Sequence, residues 1–179
     1  MVEKPIFLVG YMCSGKTTLG KALSKLLGVE FFDLDEFIEK RENRSISDIF
    51  AQEGESYFRT IEENSLDHII TLHAALPAIV ALGGGTPCRP GVMEKLNAAG
   101  ITAHLDVSVE RLVERLELAS QNRPLAVGKT KAELEELVIT MLKERNPYYR
   151  KAHIRFDASR LETEEQIIAS AREFAKLIQ

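Results

Sequence analysis

Residues 10–17 read Gly-Tyr-Met-Cys-Ser-Gly-Lys-Thr, which matches GxxxxGK[ST]. In such a loop successive backbone N–H groups surround phosphate oxygens, and the helix that follows presents its N-terminus to the anion. Lys16 would neutralise charge between the β- and γ-phosphates of a nucleotide, and the Thr17 hydroxyl would ligate Mg²⁺. The competing reading is a strand-to-helix turn with an incidental lysine. A magnesium carboxylate is not found at the end of the apolar run 78–82, which passes straight into Gly83. Two other carboxylates, Asp33 and Asp35, stand at i and i+2 in Phe-Phe-Asp-Leu-Asp. If strand geometry persists through them they share a face. One could then support Mg²⁺ while the other accepts the proton of an attacking hydroxyl. Either could instead N-cap the next helix.

Gly83, Gly84 and Gly85 form a run that costs backbone entropy without contributing packing. Close approach to an anionic or hydroxylated substrate would account for it, and so would a flexible turn. Arg59 has Glu62 and Glu63 at i+3 and i+4, the spacing of a helical surface ion pair. Arg145 precedes Asn146-Pro147, where a helix is expected to end and a cation would complement its dipole. Arg123 lies in a polar stretch, 121–125, long enough to fold over phosphates as a lid. Spacing alone decides none of the three arginines. Cys13 and Cys88 form no CxxC pair, so neither a zinc knuckle nor a disulfide framework is encoded. Cys13, beside a helix N-terminus and near Lys16, is expected to be the more reactive thiol, with Cys88 lacking a positive partner. His68, His73, His104 and His153 lack the i, i+4 spacing of a metal pair and read as structural or surface residues.

These residues need a scaffold, and 179 residues with 45% hydrophobic and 28% charged content suit a single soluble α/β domain over 1–179. Short apolar runs at 6–9, 29–33, 78–82, 101–106 and 153–157 predict five parallel strands. Helices are predicted over 16–27, 35–41, 47–72 with a break near Gly54, 91–99, 109–119, 131–145 and 164–178. Gly28 and Gly100 occupy positions where a left-handed residue would end a helix, and Thr163 with Gln166 forms a capping box. In a sheet covered by helices on both faces, ligands bind at the carboxyl ends of the strands, where the motifs fall. A formal charge of −4 gives no field for holding nucleic acid, and no apolar run is long enough to span a membrane. With no basic-then-hydrophobic leader at Met1, a cytoplasmic protein is expected.

As a set, the loop 10–17, 32–35, Ser45 to Phe50, Gly54-Glu55 with Phe58-Arg59, Gly83 to Gly85, Arg123-Pro124-Leu125, and Arg145-Asn146-Pro147 with Tyr149 resemble the shikimate kinase family. The resemblance runs from residue 6 to about 157. It implies a P-loop fold with strand order 2-3-1-4-5, and transfer of the ATP γ-phosphate to the 3-hydroxyl of shikimate. By position, Asp35 matches the base that holds the reacting hydroxyls, and Asp33 matches the acid that supports Mg²⁺ with Thr17. Arg59 and Arg145 match the pair gripping the substrate carboxylate. Glycines 83–85 match the substrate-lining glycines, and Phe50 and Phe58 the aromatic wall. ATP contacts are expected from Tyr11, Met12, Cys13, Ser14, Gly15, Lys16, Thr17 and Thr18. Arg115 matches the adenine-stacking arginine and Arg123 the lid arginine, which joins Lys16 and Asp35 in the catalytic set. The resemblance also implies a substrate-binding helical region at about 34–62, a lid at about 119–131, and a monomer. Cys13 stands where the family usually has glycine or alanine, and a loop position needing positive φ would resist its β-carbon. Gluconate kinase, also a P-loop enzyme acting on a hydroxylated acid, and a catalytically weak ATP-binding regulatory relative are the alternatives.

Overall fold

The computed structural model describes residues 4–119 and 128–178. Five strands, β1 (Ile6–Val9), β2 (Glu30–Asp33), β3 (Ala78–Ala81), β4 (Ile101–Asp106) and β5 (Ile154–Asp157), form one parallel sheet in the order β2-β3-β1-β4-β5. The strand order expected from the resemblance is therefore observed. The helices are α1 (Lys16–Leu27), α2 (Leu34–Glu42), α3 (Ile46–Leu72), α4 (Val92–Ala99), α5 (Val109–Leu118), α6 (Lys131–Tyr149) and α7 (Glu164–Leu177).

Central strand β1 is wholly buried because helices cover both of its faces. Ile6 and Leu8 join one core with Leu19, Leu112, Val138 and Phe174. Phe7 and Val9, pointing the other way, join a second core with Leu34, Ile49, Phe58 and Leu96. β3 (register Phe7↔Val80) and β4 (Val9↔His104) flank this strand. The loops after β1, β2 and β3 thus open side by side at the carboxyl edge.

Helix signals hold at several ends. Thr163 and Gln166 make the expected reciprocal capping box, and a second one joins Thr130 to Glu133. Gly54 interrupts α3 with φ 79° and ψ 178°, as its position in the sequence suggests.

Two expectations are corrected. Gly28 ends α1 in the left-handed conformation, but Gly100 is extended, with φ −172° and ψ −157°. Crowding explains that glycine, since a β-carbon at position 100 would lie 2.1 Å from the Pro5 carbonyl oxygen. Helix α6 does not stop at Arg145 but continues through Pro147 to Tyr149. Pro147 forfeits its own N–H and crowds the carbonyl four residues before it. The last turn is retained by the Arg150 N–H donating to Asn146 O, at 3.0 Å, and by burial of Tyr149.

Candidate active site

The phosphate loop leaves β1 at Gly10 and enters α1 at Lys16. A β-carbon at Gly10 would lie 2.8 Å from Leu105 O and 3.0 Å from Ser14 Oγ, so the first turn tolerates no side chain. Ser14 Oγ is buried and has no hydrogen-bond partner among the described residues, an orphan polar group in a loop built to receive oxyanions. Lys16 is also buried, and its Nζ donates to Gly10 O at 2.9 Å and Tyr11 O at 2.8 Å. Cys13 has φ 61°, so the loop does demand a left-handed residue at the position where a β-carbon was expected to be resisted.

The two aspartates converge by a route different from strand alternation. Helix α2 begins at Leu34, so Asp35 already lies in its first turn. Asp33 is the N-cap: its Oδ1 accepts from the Asp35 N–H at 3.1 Å, while its Oδ2 accepts from Thr17 Oγ1 at 2.7 Å. Asp33 therefore caps α2 and holds the loop threonine at the same time. Asp35 turns toward the glycine run, where a β-carbon at Gly83 would stand 3.1 Å from its Oδ1. The hydroxyl of Thr17 and the carboxylate of Asp33 are hard oxygen donors beside the loop, a small set that fits Mg²⁺, which retains much of its own water shell.

Gly83 and Gly84 make room for these groups, while Gly85 leaves ordinary contact distance to Arg59. A β-carbon on Gly84 would approach Arg145 NH1 to 3.2 Å and Met12 N to 3.3 Å, and one on Gly85 would meet Arg59 at 3.8 Å. Gly83 and Gly84 thus allow the acid, Arg145 and the phosphate loop to pack around bare backbone. Tyr149 donates from its hydroxyl to Gly84 O at 2.6 Å and fixes the run from beneath, and burial holds that hydroxyl well above the usual phenol range.

The two arginines differ electrostatically. Arg59 pairs with Glu62 at 3.0 Å and Glu55 at 3.1 Å, while Glu63, expected as its partner, binds Arg89 instead. Burial works against the Arg59 charge, yet Glu62 and Glu55 outweigh it and hold the guanidinium above its ordinary value. Glu62 is only 2% exposed and also accepts from Thr86 Oγ1 at 2.6 Å, which ties α3 to the turn after the glycines. Its i+3 spacing from Arg59 is visible in the sequence, but its burial depends on Thr86, 24 residues away. Arg145 makes no ion pair with an acid among the described residues. Its guanidinium lies 5.7 Å from the centroid of the Tyr11 ring. The Phe50 and Phe58 rings are 4.6 Å apart, Phe58 buried and Phe50 outside it. Cys88 has Arg145 and Arg59 nearby, contrary to expectation, but burial outweighs them and pushes its thiol up.

On the far side of the loop, Arg115 donates to Cys13 O at 3.2 Å, Ala158 O at 2.9 Å and Glu162 Oε1 at 2.8 Å. Partial burial works against Glu162 ionisation, but Arg115 prevails and holds that carboxyl below its usual range. A cleft of about 350 Å³ runs from Arg115, Leu161 and Glu162 past Met12, Cys13 and residues 15–18 to Asp33, Asp35, Gly83 and Gly84, with Ser14 outside this lining. Arg59, Arg145, Phe50, Phe58 and Gly85 stand beyond its inner end rather than in this lining. Tyr11 is buried and its hydroxyl turns to Met141 Sδ at 3.2 Å, away from the cleft. Arg123 lies outside the described residues, as does most of the expected lid.

A phosphate loop, a carboxylate pair at the start of α2 and a guanidinium with no acidic partner among the described residues, gathered at the carboxyl edge of a 2-3-1-4-5 sheet, define a P-loop kinase. The family model for shikimate kinase matches residues 12–176, and the chain belongs to that family. It is 46% identical to a shikimate kinase of Parabacteroides distasonis, covering 92% of this chain and 93% of the relative. Among solved structures it resembles a shikimate kinase from Bacteroides thetaiotaomicron, with 39% identity, a TM-score of 0.91 and 98% of each chain covered. It also resembles one from Acinetobacter baumannii in complex with shikimate, with 34% identity, a TM-score of 0.82, and 98% of this chain and 93% of that one covered.

Proposed function

We propose that this chain transfers the γ-phosphate of ATP to the 3-hydroxyl of shikimate, giving shikimate 3-phosphate and ADP on the chorismate route to aromatic amino acids. The observation that carries the reading is the convergence of Asp35, the glycine run and Arg145 on the phosphate loop. Shikimate has the matching chemistry, a carboxylate for guanidinium groups and adjacent hydroxyls for a carboxylate, and it is the ligand held by the A. baumannii relative.

In this reading the substrate carboxylate is gripped chiefly by Arg145, whose charge no acid offsets among the described residues, with Arg59 as its partner. Phe50 and Phe58 flank the ring, and glycines 83–85 let it approach the backbone. Asp35 orients the 3-hydroxyl and takes its proton as the oxygen attacks the γ-phosphorus and the bond to the ADP oxygen breaks. The loop N–H groups, Ser14 and Lys16 bind the phosphates and stabilise charge on the transferring group. Thr17 and Asp33 would hold Mg²⁺, which when bound neutralises phosphate charge. Arg115, Thr18 and Arg123 complete the nucleotide side, with Arg123 on a lid at about 119–131 and the acceptor held by the helical region at about 34–62. The chain acts as one cytoplasmic, monomeric kinase domain over 1–179, and no described helix is long and apolar enough to cross a membrane.

A coupled ADP-release assay with Mg·ATP and shikimate, gluconate or no acceptor tests the reading. Shikimate-dependent release is expected. Faster turnover of gluconate would assign the site to a sugar acid, and no acceptor-dependent release would leave a nucleotide-binding relative.

A further inference from the structure

Tyr11 occupies the second position of the phosphate loop, and its sequence position alone would assign it to the nucleotide. Its side chain goes elsewhere. The ring is 2% exposed, its hydroxyl donates to Met141 Sδ on α6 at 3.2 Å, and the Arg145 guanidinium lies over its face at 5.7 Å. That separation is within the range where the negative face of an aromatic ring attracts a cation, and more strongly where water is excluded.

Two neighbours make the contact part of a built arrangement. Gly84 is wedged between Arg145 and the loop, since a β-carbon there would meet Arg145 NH1 at 3.2 Å, Met12 N at 3.3 Å and Gly10 O at 3.5 Å. Tyr149, one turn beyond Arg145 on α6, locks the Gly84 carbonyl at 2.6 Å. Arg59 owes its placement to Glu62 and Glu55, whereas Arg145 has no acid to hold it among the described residues. The Tyr11 ring stands under it, with the Tyr149 hydroxyl beside it. A neutral π-face orients a guanidinium without neutralising it, so its full charge remains for an incoming carboxylate. Burial raises the Tyr11 hydroxyl above its ordinary value against the pull of Arg145, so the phenol stays neutral at physiological pH.

We infer that Tyr11 is a positioning residue for the acid substrate: its ring orients Arg145 for the substrate carboxylate and ties that arginine to the phosphate loop. The inference rests on the carboxylate-gripping role of Arg145 proposed above. It makes one loop serve both substrates, the backbone for phosphate and this one side chain for the acid.

The test is steady-state kinetics with Tyr11→Phe, Tyr11→Leu and a series of progressively fluorinated phenylalanines at position 11, which drain the π-face while keeping the ring's shape. Tyr11→Phe should leave the KM values for shikimate and ATP within about twofold of the parent. Fluorination should raise the shikimate KM stepwise, by about three- to tenfold at the end of the series, with the ATP KM unmoved. Tyr11→Leu should do the same if it folds, and the fluorinated series decides if it does not. In an Arg145→Ala background the fluorinated residues should add less than about twofold, because the cation they act on is gone. A flat response to fluorination, an equal rise in both KM values, or an undiminished effect without Arg145 would overturn the inference. If Arg145→Ala itself leaves the shikimate KM unchanged, the role of Arg145 fails, and the inference fails with it for that separate reason.

Discussion

Asp33 divides its two oxygens between two tasks, capping α2 with Oδ1 and accepting from Thr17 with Oδ2. Because Asp33 is the cap, chain geometry decides which of the two aspartates caps α2. Asp35→Asn should therefore leave the urea midpoint nearly unchanged and lower kcat by roughly 10²- to 10⁴-fold, the usual contribution of a positioned base. Retained turnover with lost stability would mean that Asp35 is structural. At Cys13, φ 61° places a β-carbon in the left-handed region at a cost of about 1–2 kcal/mol. Glycine removes that cost but gives back about 0.4–1 kcal/mol of unfolded-chain entropy. Cys13→Gly should thus be neutral to stabilising by about 1 kcal/mol in denaturant titration, and Cys13→Val, β-branched in the same conformation, clearly destabilising. Equal stability of the glycine and valine variants would contradict this. Lys16 and Thr17 were legible because their motif is local. Glu62 was not, since its partner Thr86 reaches it only after the chain has crossed β3.

At the scale of elements, periodicity and caps located every strand and α-helix among the described residues but not the short 3-10 turn Thr86–Cys88, and erred where non-local contacts govern the backbone. Gly28 and Gly100 look alike in sequence, each just past a helix, yet only Gly28 is left-handed and only Gly100 is crowded. Gly28→Ala faces open space and should cost about 1 kcal/mol, from conformation alone. Gly100→Ala adopts a permitted φ but drives its β-carbon against Pro5 O, between β1 and β4, and should cost more, about 2–3 kcal/mol. Thermal unfolding of the two variants checks the order, and a larger loss at position 28 would reverse the explanation. The run of α6 through Pro147 escaped sequence rules for a related reason. Tyr149 is buried and bonded to Gly84, so tertiary contacts outweigh one missing backbone bond. That extra turn also carries the link between α6 and the glycine run.

At the scale of the whole molecule, the sheet order brings three loops together at one edge, and β4 supports them from below through His104. This imidazole is 6% exposed, stacks on Tyr149 at 5.1 Å, and has a buried Nδ1 without a partner among the described residues. Burial depresses its pKa below the ordinary 6.5; Asp106 opposes that shift, while Arg155, Lys16 and Arg150 reinforce it. A depressed pKa means that the unfolded chain binds the proton more readily. The contribution of His104 to stability is therefore complete above about pH 6.5 and lost as pH falls through its lower folded value. His104→Phe keeps a flat ring without titrating, so its denaturation midpoint should fall less than the parent's between pH 8 and pH 5 in buffers of equal ionic strength, as a comparative ~3-unit scan would show. Parallel declines would mean that His104 is not the group responsible.

The central claim is that this site delivers phosphate to one particular hydroxyl of an acid held by arginines. Phosphorus–proton correlation NMR of the product formed from Mg·ATP and shikimate tests it most directly. The account predicts one new phosphoester signal correlated with the proton on carbon 3 of shikimate. A phosphoester on another carbon, or ADP accumulating while shikimate remains unmodified, would contradict it.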